Sequence, residues 1–166
     1  ANKTIIITGA ARGIGAACAK KLSEENYRVV LHYRSSHAEV KKLSETIENS
    51  YPLQADLSDE RACLELIDKV KKDLGQIDVL VNNAGMKKDQ ILAFAKPADF
   101  DELMSTNLKP VFLLSKYTAK AMLRKRSGSI VNITSVVGHL GNAGQSIYTA
   151  TKGAVTALNK SMAQEL

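Results

Sequence analysis

The chain of 166 residues carries only two cysteines, Cys18 and Cys63. A small secreted fold stapled by disulfides needs more, and no spacing of ligand types suggests a metal site. Both cysteines fall in helical patterns, which predicts buried, unpaired thiols. Long apolar runs are missing too. The longest, such as Val79–Val81, are strand-length, whereas about 20 apolar residues are needed to cross a bilayer. No basic-then-apolar leader precedes Ile5-Ile6-Ile7, which predicts a cytosolic protein without membrane attachment. Pro- or Gly-rich linkers, internal repeats and low-complexity tracts are also absent, so residues 1–166 are predicted to form one domain. The formal net charge is +6, but the basic residues are scattered along helical segments rather than concentrated with aromatics. That gives a nucleic-acid partner no footing. An anionic cofactor or an acidic protein partner needs only a local patch.

What is present is ordinary globular material, 45% hydrophobic and 24% charged, with enough length for a real core. Short β-branched runs alternate with longer amphipathic stretches. Thr4–Thr8, Val29–His32, Pro52–Ala55, Val79–Asn82 and Ser129–Thr134 read as strands. Gly13–Asn26, Ala38–Asn49, Asp59–Leu74 and Phe100–Arg126 read as helices, and a last helix starts near Ser146. This alternation predicts an α/β fold, a doubly wound parallel sheet of the Rossmann type with helices on both faces. Such a sheet carries about six strands, and only five are counted. The last helical pattern, Val155–Leu166, also lacks a Gly or Asn stop signal. Both features predict a domain whose C-terminal strands lie beyond Leu166.

The first βα turn reads Thr8-Gly9-Ala10-Ala11-Arg12-Gly13-Ile14-Gly15. It follows a strand and opens a helix, the context a dinucleotide fingerprint requires. Gly9 permits the tight turn, Gly13 lets backbone approach a pyrophosphate, and Gly15 lets helix and strand pack closely. The helix start then offers free N–H groups and a positive dipole end to phosphates. Cofactor choice is written at the end of the second strand. NAD sites place a carboxylate there for the ribose 2′-OH. Here the sequence is His32-Tyr33-Arg34-Ser35-Ser36, with no carboxylate. Arg34 and Arg12 suit a 2′-phosphate instead, which favours NADPH.

Asp56-Leu57 follows the third strand. Asp56 has two readings, an acceptor for an adenine amino group or a helix cap beside Ser58 and Asp59; Leu57 would give a backbone N–H. Asn82-Asn83-Ala84-Gly85 ends the fourth strand. Small residues there let backbone lie against a cofactor, with Asn83, Ala84 and Gly85 on the adenosine-ribose side, and the Asn amides can tie neighbouring strands.

Ser135 stands at the carboxyl end of the fifth strand, where open α/β sheets bind ligands. Tyr148-Thr149-Ala150-Thr151-Lys152 opens the next helix. Residues four apart share a helical face, so Lys152 lies beside Tyr148. A free phenol ionises near pH 10, and a neighbouring ammonium favours the phenolate, which suits proton exchange at neutral pH.

Together these residues resemble the short-chain dehydrogenase/reductase family. Its Thr-Gly-x-x-x-Gly-Ile-Gly motif matches Thr8–Gly15, its Asn-Asn-Ala-Gly matches Asn82–Gly85, and its Ser and Tyr-x-x-x-Lys match Ser135, Tyr148 and Lys152. Its fourth catalytic residue matches Asn107. The resemblance implies hydride transfer from a nicotinamide to a carbonyl carbon while Tyr148 protonates the oxygen and Ser135 hydrogen-bonds it. Lys152 would also hold the nicotinamide ribose, with Tyr148 beside it, and Asn107 would support a water relay through Lys152.

Within the family, the run Gly141-Asn142-Ala143-Gly144-Gln145 before Tyr148, with Thr106-Asn107-Leu108 and Met122–Gly128, is similar to reductases of 3-oxoacyl chains carried on acyl carrier protein. That implies NADPH as cofactor and the acidic carrier protein as partner, docking at Arg124 and Arg126. It also implies a homotetramer built on Phe100–Arg126 and the final helix; apolar positions such as Val111, Leu114, Ala121 and Met122 fit that interface and would serve equally as core. The sequence departs from these reductases after Gly85. An Arg-Met pair and a Trp are usual near the acyl entrance, where this chain has Ala93-Phe94-Ala95 and Phe100. Two rival functions remain on the sequence: another reductase of the family acting on acetoacetyl-CoA, a sugar or a steroid ketone, and a non-catalytic regulator that senses dinucleotide. Such regulators tend to lose the Tyr or the Lys, and both are present here.

Overall fold

A computed structural model describes residues 2–166. Five strands form one all-parallel sheet in the order β3-β2-β1-β4-β5, with β1 (Thr4–Ile7), β2 (Arg28–Tyr33), β3 (Ser50–Gln54), β4 (Val79–Asn82) and β5 (Ser129–Asn132). The helices are α1 (Gly13–Ser23), α2 (His37–Glu45), α3 (Glu60–Leu74), α4 (Pro97–Asn107), α5 (Lys109–Lys125), α6 (Val137–Leu140) and α7 (Ser146–Glu165). The order reverses direction between β1 and β4, and there the carboxyl ends of a doubly wound sheet open a ligand crevice.

The central strands are apolar without alternation because both faces are covered. Ile6, Val30 and Leu80 point to one face and pack with Leu66, Ile67, Leu113 and Leu114 of α3 and α5. Ile5, Ile7, Val29, Leu31 and Val81 point to the other face and pack with Ala19, Val40 and Leu43 of α1 and α2. Fully burying one such side chain contributes about 1.5–3 kcal/mol. The β5 edge is less covered, with Val131 43% exposed.

One expectation needs correction. The single helix over Phe100–Arg126 is two helices meeting at Leu108. Pro110 has no N–H for the Thr106 carbonyl, and its ring clashes with the preceding turn, so an unbroken helix cannot pass through. Of the apolar positions open to core or subunit interface, Val111, Leu114 and Met122 are core residues at 5%, 0% and 7% exposure. The large apolar side chains left on the surface of these helices are Phe100, Phe112 and Leu123. Cys63 is buried as expected and donates to the Leu57 carbonyl at 3.2 Å. Burial pushes its thiol up to about 11. Cys18 is only half-buried, at the margin of the α1 face; both thiols are unpaired.

Candidate functional site

The glycine turn sits at the crest of β1. Gly9 has φ 63°, in the left-handed region, and a Cβ there would lie 2.9 Å from Ala84 Cα. A Cβ on Gly15 would run into the Gly9 carbonyl and come within 2.6 Å of Asn83 Nδ2. Gly15 is thus the close-packing glycine. Gly13 has φ 57° and open space where a Cβ would stand. Arg12, the residue capping α1, is extended and its side chain makes no cap hydrogen bond. Arg12, Gly13 and Ile14 are exposed, Ile14 at 59%. The start of α1 at Gly13 and Ile14 therefore lies at the surface, where a helix leaves its first N–H groups without intrahelical partners.

Thr8 is buried and spends its hydroxyl oxygen on the backbone N–H groups of Asn83 and Ala84, both at 2.9 Å. Asn83 Nδ2 donates back to the Thr8 and Gly9 carbonyls at 3.0 and 3.1 Å. Asn82 Nδ2 donates to Asn132 Oδ1 at 2.8 Å, joining β4 to β5. The expectation that these amides tie strands together holds. Gly85 lies not with this stitching but at the far end of the segment. A Cβ on it would be 3.3 Å from Asn107 Oδ1 and 3.4 Å from Lys152 Nζ.

At the end of β2, Arg34 is exposed and its Nη2 stands 3.6 Å from Asp56 Oδ2. Asp59, not Asp56, caps α3, accepting from Arg61 N–H. Asp56 accepts instead from the N–H and hydroxyl of Ser58 at 3.0 and 2.7 Å. Those two bonds, more than Arg34, hold its carboxyl below the usual carboxylate range. Leu57 buries its side chain in the core, so only its backbone faces the crest.

The second half of the site gathers at the carboxyl ends of β4 and β5. Lys152 is buried, with its ammonium donating to the Ile133 carbonyl at 3.1 Å and lying 5.8 Å from the centre of the Tyr148 ring. Burial pushes the Lys152 pKa down. Its other two ammonium protons have no protein acceptor among the described residues. Tyr148 is half-buried, and its hydroxyl makes no protein hydrogen bond there either. Ser135 is also half-buried; its Oγ receives only a long 3.4 Å bond from Val137 N–H, so its own proton is free to donate. The adjacent Thr134 hydroxyl donates to the Lys152 carbonyl at 3.0 Å. Gly138 of α6 and Gly153 of α7 then cross closely, since a Cβ on Gly138 would be 2.9 Å from Gly153 N.

Asn107 ends α4, fully buried, and its amide is fully used. Oδ1 accepts from Met86 N–H at 2.8 Å, while Nδ2 donates to the Met86 carbonyl at 2.7 Å and to Thr151 Oγ1 at 3.2 Å. Thr151 donates in turn to the Tyr148 carbonyl at 2.7 Å. One amide thus locks the segment after β4 to the turn of α7 that carries Tyr148 and Lys152. Motif reading did not supply the partners Met86 and Thr151.

Other ties escaped the sequence altogether. Gln145 Nε2 donates to Asp89 Oδ1 at 3.0 Å, and Gln90 N–H donates to the Gly144 carbonyl at 2.7 Å. Lys88 pairs with Asp99 and Glu102 of α4. His32, a polar residue in an apolar strand, bonds to Gly9 and to Ala55. Its one signal was that misfit in the strand pattern. The proposed docking residues Arg124 and Arg126 are exposed at the end of α5, with Arg126 in the left-handed region at φ 53°.

Comparison with known proteins decides the family. Residues 3–166 match the profile of the short chain dehydrogenase family. The chain belongs to the short-chain dehydrogenase/reductase family. Among similar proteins is the 3-oxoacyl-[acyl-carrier-protein] reductase FabG of Staphylococcus epidermidis, 42% identical over 99% of this chain and 69% of that protein. The proteins of the same name from Vibrio harveyi and Salmonella typhimurium are 38% and 36% identical, each over 99% of this chain and 68% of their own length.

Short-chain dehydrogenase/reductase membership implies oxidoreductase chemistry with a nicotinamide dinucleotide. The residues present fit that group: a glycine with free space above an uncapped helix N-terminus is a phosphate cradle. No helix among the described residues is long and apolar enough to cross a membrane.

Proposed function

We propose that this short-chain reductase uses NADPH to reduce a 3-oxoacyl thioester on acyl carrier protein to the 3-hydroxyacyl thioester. The observation that carries the chemistry is the buried Lys152 ammonium, anchored at the end of β5, beneath the Tyr148 ring and against Gly85. The substrate class rests on similarity to the FabG proteins over nearly the whole chain.

When bound, NADPH supplies a hydride to the carbonyl carbon. Tyr148 gives its proton to the carbonyl oxygen, and Ser135 donates a hydrogen bond to the same atom. The Lys152 charge stabilises the phenolate left behind, and its two spare N–H groups would hold the nicotinamide ribose. Asn107 keeps the segment after β4 and the first turns of α7 in register, so that these distances persist through turnover. Hydride plus proton account for the two electrons and two hydrogens gained by the ketone.

Arg12 and Arg34 would take the 2′-phosphate, and Gly13 with the first N–H groups of α1 would take the pyrophosphate. The Arg34–Asp56 pair is long and exposed, and such pairs contribute about 0–1 kcal/mol, so a phosphate dianion displaces it readily. Arg34→Asp should weaken NADPH binding by about tenfold or more and leave NADH binding nearly unchanged. Equal losses for both cofactors would refute Arg34 as the discriminating residue.

Carrier-protein docking falls to Arg124 and Arg126. Arg126→Glu should raise KM for the carrier-bound substrate several-fold without altering KM for a small ketone analogue. A rise in both would assign Arg126 to the fold instead of the partner. A homo-oligomer, a tetramer by family resemblance, belongs to the same reading, with exposed Phe100 and Phe112 as the apolar contact.

The deciding experiment is a substrate panel at fixed NADPH: acetoacetyl-carrier-protein, acetoacetyl-CoA, a sugar and a steroid ketone. The carrier-bound thioester should have the highest kcat/KM. Preference for another carbonyl compound would leave the family standing and overturn the substrate.

A further inference from the structure

His32 is a buried ionisable side chain of β2, 2% exposed, at the point where the ends of β1, β2 and β3 meet. Its ring is bracketed by two backbone groups of opposite kind. Gly9 N–H donates to Nδ1 at 3.1 Å, and an N–H can only donate, so Nδ1 carries the lone pair. Nε2 lies 3.0 Å from the Ala55 carbonyl, which can only accept, so Nε2 carries the proton. The surroundings therefore accept one species, the neutral Nε2–H tautomer. An imidazolium would point a second N–H at the Gly9 N–H.

Gly9 begins the turn that leads to Gly13 and α1. The Ala10 N–H also donates to the His32 carbonyl at 2.9 Å, so β2 grips the turn twice, once through backbone and once through the ring. We infer that His32 is a positioning residue for the dinucleotide loop: neutral, it holds the Gly9 turn in its cofactor-binding shape, and protonation releases it. The inference rests on the reading of this loop as a dinucleotide site.

The charged groups around the ring come from three elements. Asp56, just after β3, attracts an imidazolium, and Arg34, just after β2, is its ion-pair partner. Arg12 and the positive dipole end of α1 lie on the loop side. The segment after β4 meets the Gly9 turn through Asn83 and Ala84, which carry no charge. Burial outweighs the Ala55 carbonyl and Asp56, which favour the charged ring, and pushes the His32 pKa below its usual value. The native ring is thus uncharged at neutral pH and takes a proton only on acidification. An unfolded or released loop binds that proton more readily, so the grip is present above about pH 6.5 and lost as pH falls below it.

The test is NADPH affinity, read by the fluorescence of the bound cofactor, for the full chain and two variants. His32→Asn keeps an acceptor near the Nδ1 position but does not titrate, and His32→Leu keeps neither. At about pH 7.5 the Asn variant should bind within about threefold of wild type and the Leu variant about tenfold more weakly. Between about pH 7.5 and 5.5 the wild type should lose about fivefold more affinity than the Asn variant. The 2′-phosphate titrates equally in both and cancels. Identical pH dependence of wild type and Asn variant, or wild-type affinity in the Leu variant, would overturn the role of His32. Failure of the wild type to bind any dinucleotide would overturn the cofactor reading itself, a separate and recognisable result.

Discussion

Replacing Tyr148 with phenylalanine should lower kcat by roughly three orders of magnitude, within the range of about 10²–10⁴ for a lost general acid. Dinucleotide affinity and melting temperature should stay close to wild type. The prediction is selective because the Tyr148 hydroxyl makes no protein hydrogen bond among the described residues, while its ring sits above the Lys152 ammonium. Phenylalanine keeps the ring and its packing and removes only the proton donor. Steady-state turnover with a cofactor titration and a melting curve on the same preparation reads all three quantities. Substantial turnover in the variant would take the proton-donor role from Tyr148. A collapsed melting temperature would give it a structural role instead.

The two glycines of the phosphate loop should fail in different ways. At Gly15 a methyl group meets the Gly9 carbonyl, the Asn83 amide and Ala10 Cα at 3.0 Å. None can withdraw: Asn83 Nδ2 is bonded to the Thr8 and Gly9 carbonyls, and those sit at the end of a buried strand. Overpacking of this kind costs about 1–3 kcal/mol, and each kcal/mol is about 2–4 °C of melting temperature in a chain of this size. Gly15→Ala should therefore melt several degrees lower and lose dinucleotide binding with it. At Gly13 the same methyl group meets nothing. Gly13→Ala carries only the cost of φ 57°, about 1–2 kcal/mol, but its Cβ would stand where the pyrophosphate must approach. Dinucleotide affinity should fall by about two orders of magnitude, far more than the backbone strain explains, and that strain lowers melting by about 2–8 °C. Differential scanning fluorimetry with and without NADPH separates the two. Identical behaviour of the two variants would refute the division of labour between these glycines.

The strands and the crest residues were legible because they follow from local pattern. An apolar run bounded by Gly9 or Asn82 predicts a buried strand wherever it folds. Pro110 was equally visible, and its missing N–H was reason enough to end α4 at Asn107 rather than run one helix to Arg126. The apolar residues of α5 carried a real signal, but periodicity alone does not say whether Val111, Leu114 and Met122 face a core or a neighbour. The structure puts them in the core and leaves Phe112 outside.

What pattern could not reach was pairing across long stretches of chain. Asn107 joins Met86 and Thr151, 21 and 44 residues away. Gln145 meets Asp89 across 56 residues, and His32 reaches Gly9 and Ala55 across 23 in each direction. Side-chain amides and imidazoles are also common in solvent, so their type does not announce a buried partner. The short α6 escaped for another reason: four residues are too few to show a helical period. Yet α6 sets the crossing of Gly138 over Gly153, which brings the Ser135 segment against α7.

The most direct measurement of the whole account is the fate of a labelled hydride. Acetoacetyl-carrier-protein would be incubated with the protein and NADPH deuterated at the transferable C4 position, and the product carbinol carbon examined by mass spectrometry. A buried ammonium supporting a phenol beside a bound nicotinamide predicts one deuterium on that carbon, with the hydroxyl proton drawn from solvent. Product lacking the label, or dinucleotide binding without any product from a panel of carbonyl compounds, would contradict it.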